Sequence, residues 1–189
     1  MPFDYQEAIK KGYQYNLMVA EKLISRGVPN VIVPPFEQWD GISREIITRE
    51  EKDVLVGDLV LEVKCRNLRF NGLSDFPYEK IIVDTVYGYD AKAVKPFAYV
   101  IVSEYTKECF VIPGGTFKYW TIASVHDNAR QTTDDCYFIE RRFCSLWIEL
   151  VDVLLEQSGT EVDWAWQNKL HQQWLLEHPD EESPGWLSI

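Results

Sequence analysis

Asp53, Glu62 and Lys64 are the residues whose types and spacing carry the most chemistry in this chain of 189 residues. They stand in the run Asp53-Val-Leu-Val-Gly-Asp-Leu-Val-Leu-Glu-Val-Lys-Cys-Arg66. Two β-branched stretches there flank Gly57-Asp58, a Gly-X pair suited to a type II′ hairpin turn. With that turn, Val56 faces Leu59, Leu55 faces Val60, Val54 faces Leu61 and Asp53 faces Glu62. Opposed residues share a side and sides alternate, so one face carries Val54, Val56, Leu59, Leu61, Val63 and Cys65. The other carries Asp53, Leu55, Val60, Glu62, Lys64 and Arg66. Like charges opposed across a ladder destabilise it, so Asp53 and Glu62 require a compensating cation, either Lys64 or a divalent metal. Two carboxylates beside a backbone carbonyl form an all-oxygen site suited to Mg²⁺. Such an ion polarises a phosphate and acidifies a bound water, while a lysine steadies the nucleophile or the developing charge. The competing reading is a half-exposed hairpin with a solvated Glu-Lys-Arg ladder.

The elements that must position this hairpin are legible around it. Ile9, Tyr13, Leu17, Ala20 and Ile24 recur at helical spacing, predicting a helix from Asp4 to Ser25 with Gly27 as its cap. Val31 to Val33 reads as a short strand stopped by Pro34-Pro35, and a helical turn is expected around Ser43 to Thr48. After the hairpin come a strand at Glu79 to Asp84 and a short helix reaching about Val94. Phe97 to Ser103 and Cys109 to Pro113 form a second hairpin. Extended segments are expected at Lys118 to Ile122 and Tyr137 to Glu140. A helix from Ser145 to Glu156 places Leu146, Leu150, Val153 and Leu154 on one face, and Thr160 can cap a last helix to Glu177. Together these predict an α/β or α+β domain around one mixed sheet.

Asp53, eight residues, then Glu62-Val63-Lys64 resembles the D…(D/E)xK signature of the PD-(D/E)XK nuclease superfamily. As in that family, the signature lies on a hairpin, with a helix and short strand before it and further strands and a helix after it. The stretch from Phe76-Pro77-Tyr78 to Lys95-Pro96-Phe97-Ala98-Tyr99-Val100 resembles small phage-type members. The resemblance implies an α/β fold, a central mixed β-sheet flanked by helices in a restriction-endonuclease-like core, here with a helical C-terminal extension. With the residue pattern beyond it, the expected division of the chain is a core over 1–157, a helix over 158–178 packed on the core or used in dimerisation, and a flexible acidic tail over 179–189. The resemblance itself covers about Asp4 to Glu156. It further implies a Mg²⁺-dependent deoxyribonuclease, with Mn²⁺ able to substitute. Asp53 and Glu62 become metal ligands with the carbonyl of Val63, and Lys64 orients or activates the attacking water. Glu21 matches the acidic residue many members contribute from the first helix, though a helix-flank charge accounts for it equally. Lys52 stands where the family's literal proline would be, and Asp58 becomes a rival ligand if the register slips.

The remaining features bound the function. A net charge of −11 argues against a generic nucleic-acid coat. That charge is uneven: residues 1–150 hold 22 acids and 18 bases, whereas residues 151–189 hold 8 acids and one base. The hairpin thus lies in a nearly neutral body, where Arg66, Arg69, Lys92, Lys95 and Lys118 can rim a phosphate site or be scattered surface charge. Lys118-Tyr119-Trp120 reads as a core aromatic strand or as a cation beside base-stacking rings. Cys65, Cys109, Cys136 and Cys144 form no CxxC pair, and His126, His171 and His178 lie at no ligand spacing to them, which disfavours a zinc site. Without a secretion signal or a bilayer-length apolar run, the expectation is a cytoplasmic protein (host cytoplasm if viral) with no membrane partner. DNA is the expected partner, and Trp166, Leu170 and Trp174 offer a homodimer contact on the last helix. The rival from another class is a catalytically inactive nuclease-like scaffold acting as an assembly or interaction protein.

Overall fold

The computed structural model describes residues 5–35, 52–128 and 130–159. The first helix, α1 (Tyr5–Ser25), ends where Gly27 enters the left-handed region at φ 85°. Val28 N–H then reaches Leu23 O at 3.2 Å and Gly27 N–H reaches Ile24 O at 2.9 Å, a Schellman cap that turns the chain into β1 (Val31–Ile32). The hairpin follows as β2 (Val54–Val56) and β3 (Leu59–Arg66), with Val54↔Leu61, Leu55↔Val60 and Val56↔Leu59 in the expected register. Gly57 alone takes positive φ (57°), the requirement of a type II′ turn.

After β3 the chain leaves for β4 (Lys80–Thr85) and the short helix α2 (Val86–Ala91). It returns as β5 (Ala98–Ser103), parallel to β3, and then β6 (Cys109–Pro113). A 3-10 turn over Gly114–Tyr119 leads to β7 (Thr121–Asp127), β8 (Thr132–Glu140), β9 (Ser145–Leu146) and α3 (Trp147–Gln157). The fold is α/β with a mixed central sheet flanked by helices, of order β1-β2-β3-β5-β6-β9. The expected single sheet is corrected here: β4-β8-β7 forms a second, antiparallel sheet. Lys118 and Tyr119 also belong to the 3-10 turn rather than to a strand. Gly114 packs so closely that a Cβ there would fall 2.3 Å from Pro96 O, and Thr116 Oγ1 caps Pro113 O at 2.6 Å.

Both faces of the central sheet are covered. Val54, Val56, Leu61, Val100 and Val111 pack against Val19, Leu23, Leu150 and Leu154 of α1 and α3, with Leu59, Val63 and Cys65 half-buried beside them. The opposite face, through Tyr99, Ile101, Phe110 and Ile112, packs against Ile81, Val83, Tyr137 and Ile139 of the second sheet. The α1 stripe differs from the expected one. Leu17 and Ile24 are exposed, and Tyr15, Asn16, Val19, Ala20 and Leu23 face inward. The expected helical turn at Ser43–Thr48, the helix over 158–178 beyond Gly159 and the 179–189 tail lie outside the described residues.

Candidate active site

Asp53 sits in a bend just before β2, beyond the last ladder pair. Its carboxylate takes over where the ladder stops: Oδ2 accepts from Val63 N–H at 2.7 Å, and Oδ1 accepts from Asn16 Nδ2 at 2.9 Å. It is therefore fixed against the 62–63 peptide from one side and against α1 from the other. The side chain through which α1 reaches the site is Asn16. Glu21 is exposed, roughly 140° around the helix from Asn16.

Glu62 lies on the opposite face from the α1 layer, and the second sheet closes over it to leave 5% exposed. This excludes the solvated-ladder reading for Glu62. Its Oε1 accepts from Lys64 Nζ at 2.8 Å. Lys92, just past the end of α2, brings its own buried ammonium to 3.0 Å from Glu62 Oε2. That approach is off the hydrogen-bonding direction, and Oε2 is buried without a directed donor. We read the contact as an ion pair rather than a hydrogen bond, because distance alone supports it. Burial pushes the Glu62 carboxyl up, yet the ammoniums of Lys64 and Lys92 outweigh this and hold it below the usual carboxylate value.

Lys64 is shared. Besides Glu62 it lies 3.2 Å from Asp84 Oδ1. Asp84 is held in turn by Thr85 N–H on Oδ1 at 2.9 Å and by the Tyr99 hydroxyl on Oδ2 at 3.2 Å. Burial would lower the Lys64 pKa, but Glu62 and then Asp84 raise it above the ordinary lysine value, with Asp53 adding to them. Burial, followed by the Asp84 charge, pushes the Tyr99 phenol up, so it stays a donor. Helix α2 sets the position of Lys92. Thr85 Oγ1 caps its start by accepting from Gly88 N–H at 2.9 Å, and Lys95 Nζ binds its last carbonyls, Tyr89 O at 2.6 Å among them.

Asp53, Glu62 and the carbonyl of Val63 supply oxygen donors only, the chemistry that hard divalent cations select. Glu62 Oε2, buried and without a directed donor, is the atom such an ion would bind through. No group of three or more His, Cys, Asp or Glu side chains gathers into a ready metal cage among the described residues. The site combines the carboxylates of Asp53 and Glu62 with ammoniums, and the donor set fits Mg²⁺ or Mn²⁺ with most of the coordination left to water and substrate.

The other expected residues lie elsewhere. Arg66 points between the sheets, where Nη2 donates to Ile82 O at 2.7 Å, and burial lowers its pKa. Arg69 is exposed over the Tyr105 ring at 5.3 Å, and Lys118 is exposed over Tyr119 at 4.9 Å. Asp58 is exposed at the hairpin tip. Trp120 joins an aromatic cluster with Tyr89, Tyr99 and Tyr137, the core role among its two readings. The sequence did not single out Asn16, Asp84 and Tyr99, and it offered Lys92 as part of a phosphate rim or as scattered surface charge, whereas the structure buries Lys92 against Glu62. No family model, curated protein or solved structure matches the chain. Among the described residues no helix is long and apolar enough to cross a membrane.

Proposed function

We propose that the protein is a metal-dependent DNA nuclease that hydrolyses phosphodiester bonds by attack of an activated water. The observation that carries this reading is Glu62: a buried carboxylate held by two ammoniums, one oxygen lacking a directed donor, next to the peptide that anchors Asp53. Asp53, Glu62 and the Val63 carbonyl would hold the cation. When bound there, Mg²⁺ or Mn²⁺ supplies charge for the phosphate and acidifies water. Lys64, kept protonated by Glu62 and Asp84, orients the nucleophile and offsets negative charge on the pentavalent phosphorus. Asn16 fixes the Asp53 carboxylate and so ties α1 to the start of the hairpin. Four free thiols, three of them buried, support a cytoplasmic setting.

The test is incubation of supercoiled plasmid and linear DNA with Mg²⁺ or Mn²⁺, comparing wild type with Asp53→Ala, Glu62→Ala and Lys64→Ala. Cleavage by wild type and its loss in all three variants is the expected result; equal activity in all four proteins overturns the site. A second reading is favoured by one observation: Glu62, Lys64, Asp84 and Lys92 balance two negative charges with two positive ones. A self-neutralised buried network also fits a catalytically inactive scaffold. That reading expects no cleavage with any metal, and self-association that weakens in Trp174→Ala.

A further inference from the structure

We propose that Lys92 is a resident counter-cation of the site, exchanged for the divalent ion when the metal binds. The inference rests on the metal-binding role of Glu62 proposed above and concerns the one residue that this role leaves out of place. Glu62 and Asp84 carry two negative charges and Lys64 and Lys92 two positive ones, all within a chain of contacts of 2.8, 3.2 and 3.0 Å. These four side chains balance one another, Asp53 adds a third negative charge acting on Lys64, and the Glu62, Asp84 and Lys92 side chains are 7, 9 and 6% exposed. With Asp53, Glu62 and Asp84 against Lys64 and Lys92 the net charge is −1; a dication would make it +1, and departure of one ammonium restores neutrality.

The geometry selects which one. Lys64 is gripped on two sides, by a directed hydrogen bond to Glu62 and an ion pair to Asp84. Among the described residues the Lys92 ammonium pairs with Glu62 Oε2 at 3.0 Å, an ion pair rather than a directed hydrogen bond. Lys92 also stands just past the C-terminus of α2, where its backbone is held by N–H to Tyr89 O at 3.2 Å and by Lys95 Nζ on its carbonyl at 3.1 Å, and these contacts do not involve its side chain. Its side chain can swing out without unwinding α2. Lys92 thus keeps the metal-free carboxylate neutralised and sets how tightly the divalent ion binds.

Mn²⁺ titration followed by electron paramagnetic resonance tests this with wild type, Lys92→Met and Lys92→Arg. Lys92→Met is expected to bind Mn²⁺ at least about tenfold more tightly than wild type, because a like charge has been removed, while Lys92→Arg stays near wild type. A folded Lys92→Met that binds no more tightly overturns the proposal. Should Lys92→Met fail to fold, acetylation of wild-type Lys92 by acetic anhydride, read by mass spectrometry, decides. Labelling that rises at saturating Mn²⁺ supports the exchange, and unchanged labelling overturns it. Plasmid cleavage without this exposure sinks the exchange and leaves the nuclease reading standing. Exchange without any cleavage sinks the nuclease reading instead.

Discussion

The Asp84 carboxylate meets the Lys64 ammonium at 3.2 Å because β4 contains a bulge. Ile81 pairs with Ile139 and Ile82 with Phe138, but the next pair is Asp84 with Tyr137, so Val83 is the extra residue. Strict alternation from the inward Ile81 would turn Asp84 outward. The bulge resets the phase, places Asp84 on the same face as Tyr137 and Ile139, and leaves the Ile82 carbonyl to Arg66. One inserted residue on a neighbouring sheet thereby brings a second carboxylate to the lysine of the D…(D/E)xK hairpin.

Asp84 is a positioning residue in this arrangement, and Asp84→Asn tests it. The amide keeps the shape and the Thr85 and Tyr99 neighbours but removes the charge. Metal-dependent cleavage is expected to fall roughly 10–100-fold as Lys64 loses one of its two anchors. The Lys64 pKa, raised by Glu62 and then by Asp84, should drop. Cleavage at the wild-type rate in a folded Asp84→Asn would count against the role.

Gly88→Ala should damage the same contact without touching a charge. A Cβ at Gly88 would lie 2.7 Å from Thr85 Oγ1 and 3.2 Å from Asp84 Oδ1, the oxygen that faces Lys64. The cap of α2 and the Asp84 carboxylate must both shift. Cleavage should fall as in Asp84→Asn, and loss of the helix cap should lower stability by about 1 kcal/mol, seen as a lower melting temperature. Unaltered kinetics in a folded Gly88→Ala would show that the Asp84 position is not critical.

The hairpin itself was legible because three local signals agree: a Gly-X turn, β-branched strands and period-two alternation. Val54, Val56 and Leu61 are buried on the predicted face, in the predicted register. Asp84 was not legible, since a bulge breaks the alternation by which a sequence reveals its faces. The β7–β8 ribbon was also under-read, because Thr121 to Ser124 and Thr132 to Thr133 are exposed and show no apolar period. On α1 two stripes compete, and Leu17 and Ile24 made the outer one look apolar. Only packing against the sheet selects Tyr15, Val19 and Leu23, and with them Asn16 rather than Glu21. Burial of Glu62 depends on a sheet formed by strands 18 or more residues away, which no local pattern encodes.

Arg66 separates a structural role from a substrate-binding one. Its guanidinium donates to the bulge carbonyl of Ile82 at 2.7 Å in the space between the sheets. Arg66→Met should leave that carbonyl without its charged donor and destabilise the fold by about 1–3 kcal/mol in urea titration. At a temperature where the variant is folded, DNA affinity and its salt dependence should match wild type. A shallower salt slope would return Arg66 to the phosphate contacts.

Glu149 gives the fold a pH dependence outside the candidate site. It is 8% exposed in the first turn of α3, and burial pushes its carboxyl up to about 7, with Asp152 adding to the rise and the Leu146 N–H opposing it. In the unfolded chain the same group ionises near the ordinary glutamate value. A carboxyl raised on folding gives its full contribution below the unfolded pKa, and stability is lost as pH rises through the interval up to the folded value. Above neutral pH the loss amounts to about 3 kcal/mol. Glu149→Gln removes the ionisation while its side-chain oxygen can still accept from Leu146 N–H, which Glu149 Oε2 does at 2.6 Å. Wild type should therefore melt about 6 °C or more lower at pH 8 than at pH 5 from this group alone. Glu149→Gln should lack that part of the decline, with the two proteins alike at pH 5. Parallel melting curves across the range would show that Glu149 is already ionised in the folded protein.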